Sequence, residues 1–220
     1  MKNFLSDFPT LDLLQKEMKG SSFPEYREAN GHIHTPYSFS AFKALETAFK
    51  MAVVEKIAVL GINDFYVTDG YDAFHKGCLA YKIFPLFNIE FIGLLKEEQK
   101  RGIRVNDPNN PGRTYFSGKG LDYPFKAGWK EKIQLYSVRK ESQIQIKAMI
   151  NKLNLLIEAE APDSKLSYGS IKNEYAHELV RERHIAKALM ELSLKISPEP
   201  EEQLRFLEKL YGGKESKTGL

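Results

Sequence analysis

"EANGHIHTPYSFSAFKALETAFKMAVVEKIAVLGIND", residues 28–64, reads as a complete strand–helix–strand unit. Residues 28–34 form a short strand that stops at Thr35-Pro36, because proline biases the residue before it toward extended geometry. Ser38 or Ser40 can then cap a helix. Phe42, Leu45, Phe49 and Val53 recur at helical spacing. "KIAVLGIND", 56–64, is a continuous aliphatic run, the pattern of a strand buried on both faces.

The same alternation continues downstream. Residues 68–83 place Tyr71, Phe74, Cys78 and Tyr81 on one helical face, and residues 83–95, "IFPLFNIEFIGLL", form the next strand. A β-α-β-α-β order predicts parallel pairing. Upstream, residues 1–25 are a lead-in in which Leu11, Leu13 and Leu14 make a small helix that packs on the body. Residues 96–130 are a long polar stretch rich in Gly, Pro and Asn, with "RTYF" at 113–116 as a short strand. Loops of that length are usually functional or disordered. Beyond residue 137 the pattern is helical: one helix over 137–161, a second over 169–195, and a third over 201–213 closed by Gly212-Gly213. The expectation is an α/β domain over 1–135 and a helical region over 136–220, packed on it or inserted into it.

Composition narrows the class. Of 220 residues, 42% are hydrophobic and 28% charged, which suits a globular protein with a sizeable core. The net charge of +3 is too small to argue by itself for nucleic acid. A single cysteine, Cys78, excludes an internal disulfide and fits a reducing compartment. The first twenty residues hold no apolar run of signal-peptide type, and no segment approaches the roughly 20 apolar residues of a membrane span. A cytoplasmic protein is expected.

Two of the five histidines, His32 and His34, stand one residue apart. In a strand, residues i and i+2 point to the same face, so both imidazoles aim at one point. Two nitrogens converging from one strand suit Zn, Mn or Fe. The bland reading is two incidental polar side chains on a half-exposed strand.

These residues carry a resemblance. "GHIHTPYSFSAF" resembles the opening H-x-H-T-x-x-S motif of the polymerase-and-histidinol-phosphatase (PHP) superfamily. "VLGINDFYVTDGYDAF" is similar to its second motif, a strand ending T-D-H before a helix, and "FPLFNIEF" to its third, a strand ending G-x-E. "RERHIAKALMEL", 181–192, resembles an R-x-H-I-A-R-A-L helix of its small phosphoesterase branch. The resemblance implies a distorted (β/α)7 barrel whose mouth holds divalent metals that hydrolyse phosphate esters. It places His32, His34 and Glu90 among the metal ligands. It gives Asp64 the place of the T-D-H aspartate and brings His184 near the substrate phosphate.

The departures shape the expectation as much. Phe39 stands where the family has an aspartate ligand, and Phe65 where it has the T-D-H histidine. No histidine follows Glu90 within the next eighty residues, and the closing D-x-H strand is absent. A trinuclear site cannot be built from this chain alone, so one ion (Zn, Mn or Fe) is expected, on His32, His34 and Glu90. Asp64 and His184 are the catalytic candidates. In the glycine-rich segment 106–120, Arg113 and Lys119 are candidates for the phosphate.

Two readings of function follow. One is a metal-dependent phosphoesterase acting on a phosphorylated small molecule or nucleotide. The other is a catalytically degenerate relative that binds a ligand or partner, favoured by the two phenylalanines. Nucleic-acid processing has only the mild positive charge behind it. An incomplete barrel also makes a homodimer, or a longer natural chain, an expectation.

Overall fold

The computed structural model describes residues 4–7, 9–19, 28–38 and 40–213, so Phe39 lies outside the described residues. The chain divides into two compact units, Met1–Leu135 and Tyr136–Leu220.

The first unit holds a four-stranded sheet in the order β1-β2-β3-β4. Its strands are β1 (Glu28–Ile33), β2 (Ile57–Phe65), β3 (Phe84–Leu94) and β4 (Arg113–Gly118). The helices α1 (Leu11–Met18), α2 (Leu45–Val54), α3 (Tyr71–Ala80) and α4 (Lys96–Lys100) belong to this unit. β1 and β3 both pair with β2 in parallel, as the alternating pattern requires, while β4 runs antiparallel along β3. β2 lies between two neighbours, and its last six residues are all buried, which explains the unbroken aliphatic run. Phe49, Leu60, Ile62, Tyr71, Phe74, Cys78 and Phe87 form the core between α2, α3 and the sheet.

Two glycines set close approaches in this unit. A Cβ on Gly61 would lie 2.5 Å from the Gly31 carbonyl oxygen, so β1 and β2 meet there without side chains. Beside that contact the β1–β2 register slips, with Asn30 opposite Leu60 but Ile33 opposite Ile62. The irregularity falls immediately before His32, and bulges of this sort re-aim the side chains that follow them. A Cβ on Gly77 would lie 1.9 Å from the Phe49 ring, where α3 crosses α2. Gly77→Ala forces Phe49 out of its place, and a loss of about 1–3 kcal/mol is expected from overpacking. Urea denaturation followed by circular dichroism reads it, and an unchanged midpoint would show that the α2–α3 contact yields freely.

The second unit is helical. α5 (Trp129–Glu160) runs into it from the first unit and is followed by α6 (Tyr168–Tyr175), α7 (Glu182–Ile196) and α8 (Pro200–Leu210). Ile146, Ile150 and Ile157 of α5 meet Ile171, Ile185, Leu189, Phe206 and Leu210 in its core. Gly212 and Gly213 close α8 at positive φ. No described helix is long and apolar enough to cross a membrane.

Several expectations are corrected. The single helix over 169–195 is two, broken at 176–181. The cause is a contact far along the chain: the Gln143 amide accepts from the Val180 N–H at 3.1 Å and donates to its carbonyl at 3.2 Å, as a strand partner would. His177 lies in this break, and His184 lies on α7. Neither Ser38 nor Ser40 caps α2, whose N-cap is Ala44. α1 forms but buries none of its residues, and Leu11 is 69% exposed. Tyr123 and Phe125 pack against the first core.

Candidate metal centre

Two strands, β1 and β3, deliver the cluster, with β2 between them. β1 ends at Ile33, so His32 stands on the strand and His34 just past its end. Phe65, the last residue of β2, pairs with Glu90 of β3. The Glu90 Oε2 lies 3.2 Å from the His32 Nε2 and 3.1 Å from the His34 Nε2, and the two imidazole nitrogens are 3.3 Å apart. His32, His34 and Glu90 form a group that can hold a metal ion.

The donor set fits a divalent cation. Two imidazoles and a carboxylate suit Zn, Mn or Fe and leave positions open. A tetrahedral zinc site with bonds of about 2.0–2.1 Å separates neighbouring donors by about 3.3–3.4 Å. The observed separations are within a few tenths of an ångström of that. Burial lowers the His32 pKa despite the opposing Glu90 charge, which keeps the imidazole in the form that ligates. Burial alone would raise the Glu90 pKa. The His34 hydrogen bond and the charges of both imidazoles outweigh it and hold the carboxyl below its ordinary range.

Phe65 shapes one wall. Its ring stacks on the His34 imidazole with centroids 4.7 Å apart and planes 14° from parallel. Phe65 thus holds the His34 ring in its orientation.

Asn63 and Ser117 complete the surroundings, and sequence reasoning passed over both. The Asn63 Nδ2 lies 2.9 Å from the His32 Nε2, 3.0 Å from the Glu90 Oε2 and 3.0 Å from the Ser117 Oγ. Strand alternation was the signal for Asn63, since it shares a face of β2 with Phe65. Ser117 arrives through the antiparallel pairing of β4, opposite Glu90.

Asp64 points away from this cluster, on the other face of β2. Its Oδ1 accepts from the Thr35 N–H at 2.7 Å and from the Ser38 hydroxyl at 2.6 Å, and its Oδ2 accepts from the Thr35 hydroxyl. Asp64, Thr35 and Ser38 are all fully buried. Asp64 is therefore the anchor of the turn that follows His34, and the T-x-x-S part of the opening motif supplies its donors.

The remaining candidates separate. Lys119 is near the cluster: its ammonium donates to the Gly31 carbonyl at 3.0 Å, and its charge lowers the His32 pKa after burial and the other imidazole have acted. Arg113 stands at the far end of β4, opposite Leu94, with its Nε 3.4 Å from the Asp107 carboxylate and its guanidinium over the Tyr115 ring. The segment expected to cradle an anion is filled by the protein itself. Asp107 is buried and accepts from the Asn109 and Asn110 N–H groups at 2.9 and 3.2 Å. His184 belongs to the helical unit, where its Nδ1 accepts from the Arg181 N–H at 3.1 Å and caps α7.

No family model matches the chain, and no curated protein matches it. Among solved structures it is similar to the crystal structure of a protein from Bifidobacterium adolescentis provisionally described as a metal-dependent phosphoesterase. The two are 15% identical, with a TM-score of 0.57. The match takes in 89% of this chain but 58% of that one, so the chain spans a little over half the length of a protein whose kind of fold it shares.

Proposed function

We propose that this chain is a divergent PHP-type protein that binds one divalent ion on His32, His34 and Glu90 and hydrolyses a phosphate ester. The observation that carries the reading is the convergence of these three donors, each within 3.3 Å of the others, from β1 and β3, the strands that flank β2. The parallel order β1-β2-β3 and the likeness to a metal-dependent phosphoesterase support it. On this reading the four strands open a (β/α)7 barrel, and the helices beyond residue 135 are an insertion or second half.

A divalent ion in such a site supplies a nucleophilic hydroxide near neutral pH and polarises a phosphoryl oxygen. The residues do the rest. His32 and His34 present Nε2 lone pairs, and Glu90 brings the negative charge. Phe65 keeps the His34 ring in place and excludes water from its face. Lys119, exposed beside His32, is the group best placed to meet a phosphate. Arg113 and His184 remain candidates for that contact without supporting geometry, since each already serves its own unit. Asp64 acts by holding the turn after His34. The substrate is then a phosphorylated small molecule or nucleotide, in a cytoplasmic, dimer-forming protein.

One observation favours a second reading. Phe65 fills the place of a ligand with an apolar ring, which suits a binding pocket without turnover. Metal analysis of protein purified without chelator, followed by chromogenic phosphomonoester and phosphodiester assays with added Mn²⁺, separates the two. About one ion per chain with chelator-sensitive turnover is expected. One ion with no turnover on either substrate class selects the binding reading, and no ion at all overturns the phosphoesterase reading.

A further inference from the structure

We propose that Asn63 is the fourth ligand of this site, binding the cation through Oδ1 after a half-turn of its side-chain amide. The inference rests on the reading that His32, His34 and Glu90 hold a divalent ion.

Asn63 is fully buried. Its amide nitrogen has two hydrogens but faces three acceptors, on His32, Glu90 and Ser117, at 2.9, 3.0 and 3.0 Å. Its Oδ1 is buried and has no hydrogen-bond partner among the described residues. One acceptor too many on the nitrogen and none of the donors on the oxygen is a poor arrangement for a group out of water. The amide N–H groups face the lone pairs of His32 and Glu90, and a cation among those atoms would call for the opposite orientation.

With an ion on the cluster, those lone pairs turn to it, and the N–H groups would point at a positive charge. The half-turn removes the conflict. Oδ1 then faces the cation, and the Ser117 hydroxyl donates to it instead of accepting. The donor positions agree: Asn63 lies 2.9 and 3.0 Å from two ligand atoms, against about 3.3–3.4 Å between donors of a tetrahedral site. An oxygen placed beside the Glu90 carboxylate would be repelled unless a cation lay between them, so amide orientation and metal occupancy are linked.

Co²⁺ alone, titrated into the chelator-treated full chain, provides a readout other than turnover. Wild-type protein is expected to give the visible bands of a four- or five-coordinate ion. Asn63→Ala is expected to weaken Co²⁺ binding by more than about 100-fold, beyond the cost of losing a partner that only supports a ligand, and to shift those bands. Asn63→Asp keeps the volume and an oxygen donor, and is expected to bind at least as tightly as wild type. If the amide served only as a hydrogen-bond donor to Glu90 and His32, Asn63→Asp would lose Co²⁺ as Asn63→Ala does. That result, or an unchanged affinity and spectrum in Asn63→Ala, overturns the proposal while the three-residue site stands. If Asn63→Ala does not fold, Asn63→Asp decides alone. Wild-type protein that takes up no Co²⁺ removes the three-residue site and this proposal with it.

Discussion

Replacing His34 with alanine is expected to remove stoichiometric metal from the protein. The side chain is only 18% exposed and places its Nε2 3.1 Å from Glu90 and 3.3 Å from the His32 nitrogen. Without it two protein donors of the set remain, and one of them, His32, has a half-exposed side chain. Loss of a partner that merely supports a ligand typically costs 10–100-fold in metal affinity, so loss of a ligand is expected to cost more than about 100-fold. The Phe65 ring cannot take over, because it has no lone pair to offer. Competition against a chromogenic chelator measures the affinity, and far-ultraviolet circular dichroism checks that the fold survives. His177→Ala, in the helical unit, is the control and is expected to leave metal content unchanged. A His34→Ala protein that keeps wild-type metal content would place any bound ion elsewhere and end the phosphoesterase reading.

The sequence exposed the parts of this site that depend on short-range periodicity. A spacing of two on a strand put His32 and His34 together, and their distance of 3.3 Å follows from that alternation helped by the register slip at Gly31. The aliphatic run of β2 and the Tyr71-Phe74-Cys78 face of α3 were equally legible, because both are patterns of burial written into consecutive turns or residues. Glu90 could be placed because it sits within a recognisable strand.

What escaped depends on contacts distant in the chain. The break at 176–181 contains neither proline nor glycine; it exists because Gln143 satisfies the Val180 backbone from α5. Asn154 does the same for Leu166, accepting from its N–H at 2.8 Å and donating to its carbonyl at 2.9 Å. A tertiary contact of that sort overrides helical propensity and leaves no local mark. The anion cradle was misread for a similar reason, since Asp107 turns the loop's own N–H groups inward. Asn63 and Asp64 show how fine the margin is. The motif draws attention to the aspartate, but a shift of one residue on a strand changes the face, and it is the asparagine that meets the ligands.

Removing the Asp64 carboxylate is expected to damage both stability and the site. Asp64→Ala leaves the Thr35 N–H, the Thr35 hydroxyl and the Ser38 hydroxyl buried without their acceptor. Unmade buried hydrogen bonds cost about 1–3 kcal/mol each, and partial relaxation brings the expected total to about 3–5 kcal/mol. The Thr35 N–H follows His34 directly, so the same change frees the backbone that aims the imidazole, and metal affinity is expected to fall about 10–100-fold. Asp64→Asn keeps the shape and one acceptor, and should cost much less. Wild type and Asp64→Asn also differ in pH dependence. Burial raises the Asp64 pKa above its ordinary value, against the lowering by the Ser38 and Thr35 hydrogen bonds. A carboxyl whose pKa is higher folded than unfolded binds its proton more tightly in the folded state. Its contribution is therefore complete below the unfolded value, near 4, and is lost as pH rises through the folded value. The stability of wild type relative to Asp64→Asn, whose side chain does not titrate, should decline across that window in metal-free urea titrations. A difference that instead rises through the window would mean that the hydrogen bonds from Thr35 and Ser38 outweigh burial, and that the anchor of the turn is held as a carboxylate.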